Sequence, residues 1–132
     1  MSKLDIQNRE DIELLVNTFY DDVKQDDTIG YIFQETIGDD WSHHMPIMYQ
    51  FWESVLLGKA TYSGNPIQKH IKLDQNIPLK EEHYGQWLNL WTSTVDKLYE
   101  GEIADLAKNR ASNMVHLIKM KVEMARSGKS IL

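Results

Sequence analysis

Five histidines are the side chains of this sequence best suited to bind a metal ion or to move a proton near neutral pH. His70 lies between Ile67 and Ile71 in a predicted short helix, where it would form part of a cavity wall. A core histidine that only satisfies its own hydrogen bonds fits the same pattern. His83 falls in the first turn of a helix, which favours an exposed or capping role, and His116 lies off the apolar face of its helix. From the residues alone, both interpretations of His70 remain open.

A second histidine is predicted to point inward. His44 is in helical register with Trp41 and Met48, whereas the adjacent His43 lies about 100° around the helix. At most one of the two adjacent histidines can therefore follow the apolar stripe, and His44 is the one in register.

The aromatic residues raise a related question. Four Trp, six Tyr and three Phe usually just fill the core of a small helical domain. The indole N–H of Trp87 and the hydroxyl of Tyr20 nevertheless each need a hydrogen-bond partner if they are buried. Together with an inward His44, they predict an unusually polar interior.

Composition and missing motifs exclude several classes of function. The chain has 132 residues, a net charge of −6 and no cysteine, which excludes disulfides, iron–sulfur clusters and thiolate ligation. Without a basic run, neither nucleic acid nor an anionic membrane is an expected partner. His-Glu-x-x-His, phosphate-binding glycine loops, nucleophile elbows and the Glu-x-x-His pairs of di-iron bundles are all missing. The sequence shows no signal peptide or membrane-length apolar run, so we expect a cytoplasmic protein.

Helical periodicity predicts an all-α protein with five main helices and short additional pieces. We expect one domain over residues 1–132, with an ordered core over about 8–127. Pro46 lies early in the second helix, where it would cost about 3 kcal/mol, so that helix is predicted to begin late or to be distorted. Asn8 with Asp11 is predicted to cap the first helix, Gly30 interrupts the helical pattern, and Gly58 ends the second apolar stripe. Asn65 and Pro66 are predicted to begin a short helix that ends at about Leu73. A long helix is predicted from Pro78 to Gly101, and a last helix from Ile103 to near Gly128.

Over roughly residues 8–127 the sequence resembles the truncated haemoglobins, specifically their third group. The order and spacing of several short motifs carry this resemblance. They are Phe19-Tyr20, Ile32-Phe33, Trp41-x-x-His44, Phe51-Trp52, Leu56-Leu57-Gly58, Tyr62-x-Gly64-x-Pro66-x-x-x-His70, His83-Tyr84-x-x-Trp87-Leu88 and Arg110-Ala111.

The resemblance implies a shortened, two-over-two globin fold around one haem b. His70 matches the family's proximal iron ligand. Tyr20, His44 and Trp87 match its distal residues, and Met48 follows His44 by one turn. The resemblance also implies haem contacts from Phe19, Phe33, Phe51, Trp52 and Tyr62.

The sequence leaves three classes of function open. The first is a monomer that binds dioxygen, carbon monoxide or another diatomic ligand for storage, sensing or transport, with Tyr20 and Trp87 donating to the ligand. The second is an enzyme that converts nitric oxide to nitrate or reduces peroxide, for which an external reductase is needed. His44 would then be a gate or proton donor, and whether it ligates ferric iron stays open. The third is a helical interaction domain without a cofactor.

Overall fold

The computed structural model describes residues 3–60 and 62–128. The predicted turn residue Thr61 and both ends of the predicted 1–132 domain lie outside these described residues. The described residues form helices and contain no strand. The helices are α1 (Arg9–Gln25), α2 (Gly30–Ile37), α3 (Trp41–Leu57), α4 (Pro66–Asn76), α5 (Glu81–Leu98) and α6 (Glu102–Arg126).

Helix α1 forms where its cap and apolar stripe predict it. The Asn8 side chain accepts a hydrogen bond from the backbone N–H of Asp11, which confirms the predicted cap. The predicted stripe is buried throughout and supplies the centre of the core. Its members are Ile12, Leu15, Val16, Phe19 and Val23.

Helix α2 begins at the glycine that interrupts the first helical pattern. A Cβ at Gly30 would lie 3.0 Å from the carbonyl oxygen of Val23 and 3.3 Å from that of Lys24. The missing side chain therefore lets the chain turn back closely onto the end of α1. The Ile32-Phe33 motif is part of this helix.

The prediction of a late start for α3 is wrong. The helix begins at Trp41 and continues through Pro46. Ser42, whose carbonyl loses its helical partner to the proline, is exposed, as is Pro46. Water can therefore bond that carbonyl, which lowers the penalty of an interior proline. Packing against α1 stabilises the rest of α3.

Helix α4 is longer than predicted. Asn65 caps it through the N–H of Gln68, and Pro66 occupies its first turn, as expected. The helix continues past Leu73 to Asn76. It packs mainly on α6, where Ile71 joins Ile118 and Val122 in a small apolar cluster.

Two helix pairs form two layers, the arrangement that the resemblance implies. Helix α1 packs on α3, α5 packs on α6, and contacts between α1 and α5 join the pairs. The inner face of α6 is built largely from alanines, whereas Leu117 is 40% exposed. Leu117 lies about 100° around the helix from the buried Ile118.

Within the described residues, no helix has both the length and the apolar character needed to cross a bilayer.

Candidate functional site

A cavity of about 470 Å³ lies among the helices. Its size falls within the range of small-molecule and cofactor sites, about 300–1,000 Å³. All six helices contribute residues to its lining, which is mostly apolar with a few polar groups. Four of the five histidines, those at 43, 44, 70 and 83, line it.

The first wall of the cavity, called here the α4 wall, is formed by Pro66, His70 and Leu73. Nδ1 of His70 lies 2.6 Å from the carbonyl oxygen of Pro66, one turn earlier in the helix. Because a carbonyl can only accept, Nδ1 carries the proton and donates. Burial lowers the pKa of His70, and Lys69 lowers it further against the effect of the Pro66 bond. The ring is therefore neutral near pH 7, with the Nε2 lone pair left for a group in the cavity.

The second wall, called here the donor wall, is formed by Tyr20, His44 and Trp87. Nε2 of His44 lies 3.4 Å from the hydroxyl oxygen of Tyr20, which is a long hydrogen bond. Burial raises the pKa of Tyr20 far above its ordinary value, so the phenol keeps its proton. Burial also lowers the pKa of His44, with smaller contributions from Lys69 and His43, whereas Asp40 opposes this shift.

Trp87 differs from the tryptophan one turn later. The indole N–H of Trp91 donates to the carbonyl oxygen of Ala107 at 3.2 Å, and Trp91 is fully buried. The two indoles are stacked, with ring centroids 5.8 Å apart. Among the described residues, the indole N–H of Trp87 has no acceptor, and Trp87 lines the cavity. Its N–H can therefore donate to a ligand there, since an indole never accepts.

Most predicted haem-contact residues lie at the cavity. Phe33, Phe51, Trp52 and Tyr62 all line it, and so does Met48, which the resemblance places with the distal residues. Phe19 is not among the lining residues; it is 1% exposed. Its ring packs edge-on against both Tyr20 and Trp87, at centroid distances of 5.0 and 5.3 Å. Phe19 thus supports the donor wall from behind.

Two residues of α5, His83 and Tyr84, line the cavity and have surroundings that only the structure shows. The Nδ1 atom of the buried His83 accepts from the backbone N–H of Lys80, which confirms the predicted capping role. The hydroxyl of Tyr31 lies 3.2 Å from Nε2 of His83, so both ring nitrogens are engaged. The buried hydroxyl of Tyr84 has no hydrogen-bond partner among the described residues. Tyr84 also lines the cavity.

An ion pair that sequence reasoning missed holds the end of α4. Nε of Arg126 donates to Oδ2 of Asp74 at 2.8 Å, and Nη2 donates to Oδ1 and to the carbonyl oxygen of Leu79. The backbone N–H of Leu79 donates to the same carboxylate. These bonds, Arg126 foremost, hold the pKa of Asp74 below its ordinary value despite burial. No local pattern connects residues 52 positions apart, so this pair could not be predicted from the sequence.

The residues present fit a haem. A haem needs an apolar slot, a ligand for its iron and partners for its polar groups. The cavity provides an apolar lining, a neutral histidine with a fixed tautomer, and the hydroxyl of Tyr84, which has no partner in the described part of the chain and which an occupant with an acceptor would satisfy.

Comparisons with known proteins agree with this geometry. The model of the bacterial-like globin family matches residues 5–124. The group 3 truncated haemoglobin ctb of Campylobacter jejuni is 32% identical over 112 residues, which span 83% of this chain and 86% of that protein. The crystal structure of the group III truncated haemoglobin from Campylobacter jejuni has a TM-score of 0.82 at 29% identity, covering 91% of this chain and 94% of that one. This chain therefore belongs to the bacterial-like globins, among the group III truncated haemoglobins, and is a haem-binding, ligand-binding protein.

Proposed function

We propose that this protein holds haem b through Nε2 of His70 and binds a diatomic ligand such as dioxygen beside Tyr20, His44 and Trp87. The observation that carries the proposal is the hydrogen bond from His70 to Pro66, which fixes a neutral ring with one nitrogen free for the cavity. Bound haem would supply an iron with an open coordination position for small ligands.

The surroundings of His70 favour its role as the ligand. A metal-bound histidine ordinarily donates its other N–H to a carbonyl or carboxylate, which fixes the ring and strengthens the ligand. The carbonyl of Pro66 is such an acceptor. The other cavity histidine with a fixed tautomer, His83, has both nitrogens engaged by Lys80 and Tyr31.

The donor wall supports binding of a ligand that gains negative charge. The Tyr20 phenol keeps its proton, and the Trp87 indole is a donor without a described acceptor. Such a ligand would gain about 1.5–3 kcal/mol from each charge-assisted hydrogen bond. The aromatic rings of Phe33, Phe51 and Trp52 would pack on haem and keep water away from the donors.

A second candidate is chemistry on the bound ligand: conversion of nitric oxide to nitrate, or reduction of peroxide. The polar donor wall favours it, because donors that hold dioxygen tightly oppose its release. His44, whose lowered pKa leaves it neutral near pH 7, would donate or accept a proton at a ligand bound beside the Tyr20 hydroxyl. Turnover would require an external reductase, since haem would have to be returned to its ferrous state.

The absorption spectrum of the protein titrated with haemin tests the proposal. We expect a saturable Soret band at one haem per chain, and after reduction a five-coordinate spectrum that changes with dioxygen and carbon monoxide. A chain that gives no Soret shift at stoichiometric haemin would contradict haem binding. Dioxygen dissociation and nitric oxide consumption, both followed by stopped flow, then separate a carrier from an enzyme.

A further inference from the structure

Gly64 is an exposed loop residue whose missing side chain leaves space for the Tyr62 ring. A Cβ built at this residue would lie 2.7 Å from Cζ of the Tyr62 ring, and closer still to its hydroxyl oxygen. Its backbone φ is not in the left-handed region that favours glycine. The only reason the structure offers for glycine at this position is therefore the close approach of the Tyr62 ring.

Contacts with α3 hold both the ring and the backbone of Tyr62. The ring packs edge-on against Phe51 of α3, with ring centroids 5.1 Å apart. The backbone N–H of Tyr62 donates to the hydroxyl of Ser54 at 3.0 Å, and that hydroxyl donates to a backbone carbonyl of α3. The Tyr62 ring therefore contacts α3 through Phe51 and lies close to the backbone at Gly64, and Tyr62 lines the cavity.

The same loop leads directly into the α4 wall. Asn65 caps α4, and the carbonyl of Pro66 fixes the ring of His70. A side chain at position 64 would have to move either the Tyr62 ring or the loop that starts this helix. Both the aromatic lining and the start of α4 thus depend on an empty position at residue 64.

We propose that Gly64 is a positioning residue: its missing side chain lets the loop close on the Tyr62 ring, so that this ring completes the cavity wall beside the helix of His70. The proposal rests on the proposed function only where bound haem serves as a reporter. It explains one glycine of the Tyr62-x-Gly64-x-Pro66 motif by a steric contact.

Whether an added methyl group raises or lowers the stability of the protein distinguishes this proposal from the general effect of replacing a glycine. Where glycine has an ordinary backbone conformation and open space, alanine stabilises a protein, because it restricts the unfolded chain. Gly85 in α5 has no atom within 4 Å of a built Cβ and is the matched control. At Gly64 the added methyl group instead meets the Tyr62 ring, and moving that ring away from Phe51 destabilises the protein.

The test is a double-mutant cycle of Gly64→Ala and Tyr62→Ala, with Gly85→Ala as control. One readout is haem dissociation into an excess of a haem-scavenging apoprotein, and the other is the thermal midpoint of the apo-protein. We expect Gly64→Ala to speed haem loss about tenfold in the wild type and less than about twofold once the Tyr62 ring is gone. In the apo-protein it should lower the midpoint in the wild type but raise it by roughly 1–4 °C in the Tyr62→Ala background, as Gly85→Ala does in the wild type.

Equal effects of Gly64→Ala with and without the Tyr62 ring would overturn the proposal. So would a Gly64→Ala variant that behaves like Gly85→Ala in the wild type. If the protein bound no haem, the proposed function would fail, yet the apo-protein midpoints would still decide whether Gly64 and Tyr62 are coupled.

Discussion

The α4 wall and the donor wall differ in how completely their polar groups are paired within the protein. On the α4 wall, His70 donates to Pro66 at 2.6 Å, and the end of the helix is tied to α6 through Asp74. On the donor wall, Tyr20 has only a long contact of 3.4 Å to His44, and Trp87 has no acceptor among the described residues.

This difference indicates what each wall is organised to do. A ring with one nitrogen already engaged has its orientation and tautomer fixed before a metal arrives, which suits a permanent ligand. Donors without strong protein partners remain available, which suits a ligand that comes and goes. Changes to the α4 wall should therefore affect retention of the cofactor, and changes to the donor wall should affect exchange of the small ligand.

Loss of the histidine on the α4 wall should have the largest effect. We expect His70→Gly to abolish stable haem retention, because the chain then offers no fixed, neutral nitrogen on this wall, and free imidazole should restore binding. The measurement is the Soret absorbance that remains after gel filtration, with and without imidazole. His116→Gly, at an exposed histidine on α6, is the control and should retain haem. A His70→Gly variant with a normal five-coordinate ferrous spectrum in the absence of imidazole would contradict the assignment.

Breaking the tie at the end of α4 should have the next largest effect. Asp74→Asn leaves Arg126 without its carboxylate, and we expect a loss of about 1–3 kcal/mol in the free energy of unfolding, since Arg126 is partly exposed. Because the pKa of Asp74 is lowered in the folded state, the difference from wild type should be full above about pH 4 and shrink as the pH falls further. Urea unfolding at several pH values measures it.

Asp96→Asn is the matched control for the ion pair. Asp96 pairs with Lys108 on the surface, with its side chain 57% exposed. Its substitution should cost less than about 1 kcal/mol. Equal losses of unfolding free energy for the two variants would show that the Asp74 pair stabilises the protein no more than an exposed ion pair does.

A change on the donor wall should alter ligand exchange rather than cofactor retention. We expect Trp87→Phe to speed dioxygen dissociation about ten- to a hundredfold, because a charge-assisted hydrogen bond of about 1.5–3 kcal/mol is lost. Carbon monoxide, which carries little negative charge when bound, should respond less. Stopped-flow dissociation of both gases is the measurement.

Trp91→Phe separates donation from packing. Its N–H already donates to Ala107, so this variant should lose stability while the ratio of the two gas dissociation rates stays near the wild-type value. Similar small changes for both gases in Trp87→Phe would mean that Trp87 only fills the core, and Tyr20 alone would remain as a donor.

Replacement of His44 should have the smallest effect on the fold. The lowered pKa of His44 means that the unfolded chain binds its proton at a higher pH than the folded chain does. Stability is therefore full above about pH 6.5 and falls as the pH decreases below it. We expect His44→Leu to weaken this decline and to change ligand entry and the acid dependence of the ferric form. Haem affinity should change little.

Unfolding of the apo-protein between about pH 7.5 and about pH 5 is the measurement, with His116→Leu as the control. If His44→Leu lost haem as badly as His70→Gly, the roles of the two walls would be reversed.

Local sequence signals account for most of the fold. Asn8, Asn65 and Pro66 mark helix starts through their own backbone chemistry, so their positions could be predicted. The late start of α3 predicted from Pro46 is wrong, because packing along the whole helix outweighs the low helix propensity of one residue. The sequence indicates only that Gly30 interrupts the helical pattern, because the close approach of Gly30 to Val23 depends on the three-dimensional structure.

The site was predictable only where a linear motif carries it. His70, Tyr20, His44 and Trp87 follow from motifs, and the structure brings all four to one cavity. The Asp74–Arg126 pair depends on how α4 meets α6, and the unpartnered hydroxyl of Tyr84 depends on what surrounds it. Neither leaves a pattern along the chain, because both depend on contacts between distant segments.

The most direct test of the central claim is the iron–histidine vibration in the resonance Raman spectrum of the reduced, haem-loaded protein. Material with ¹⁵N-labelled histidine should show a low-frequency band that shifts relative to unlabelled protein, both in the wild type and in His44→Leu. In His70→Gly the band should be absent, and added imidazole should restore a band that histidine labelling no longer shifts. A labelled-histidine band that persists in His70→Gly would show that another histidine holds the iron and would contradict the account.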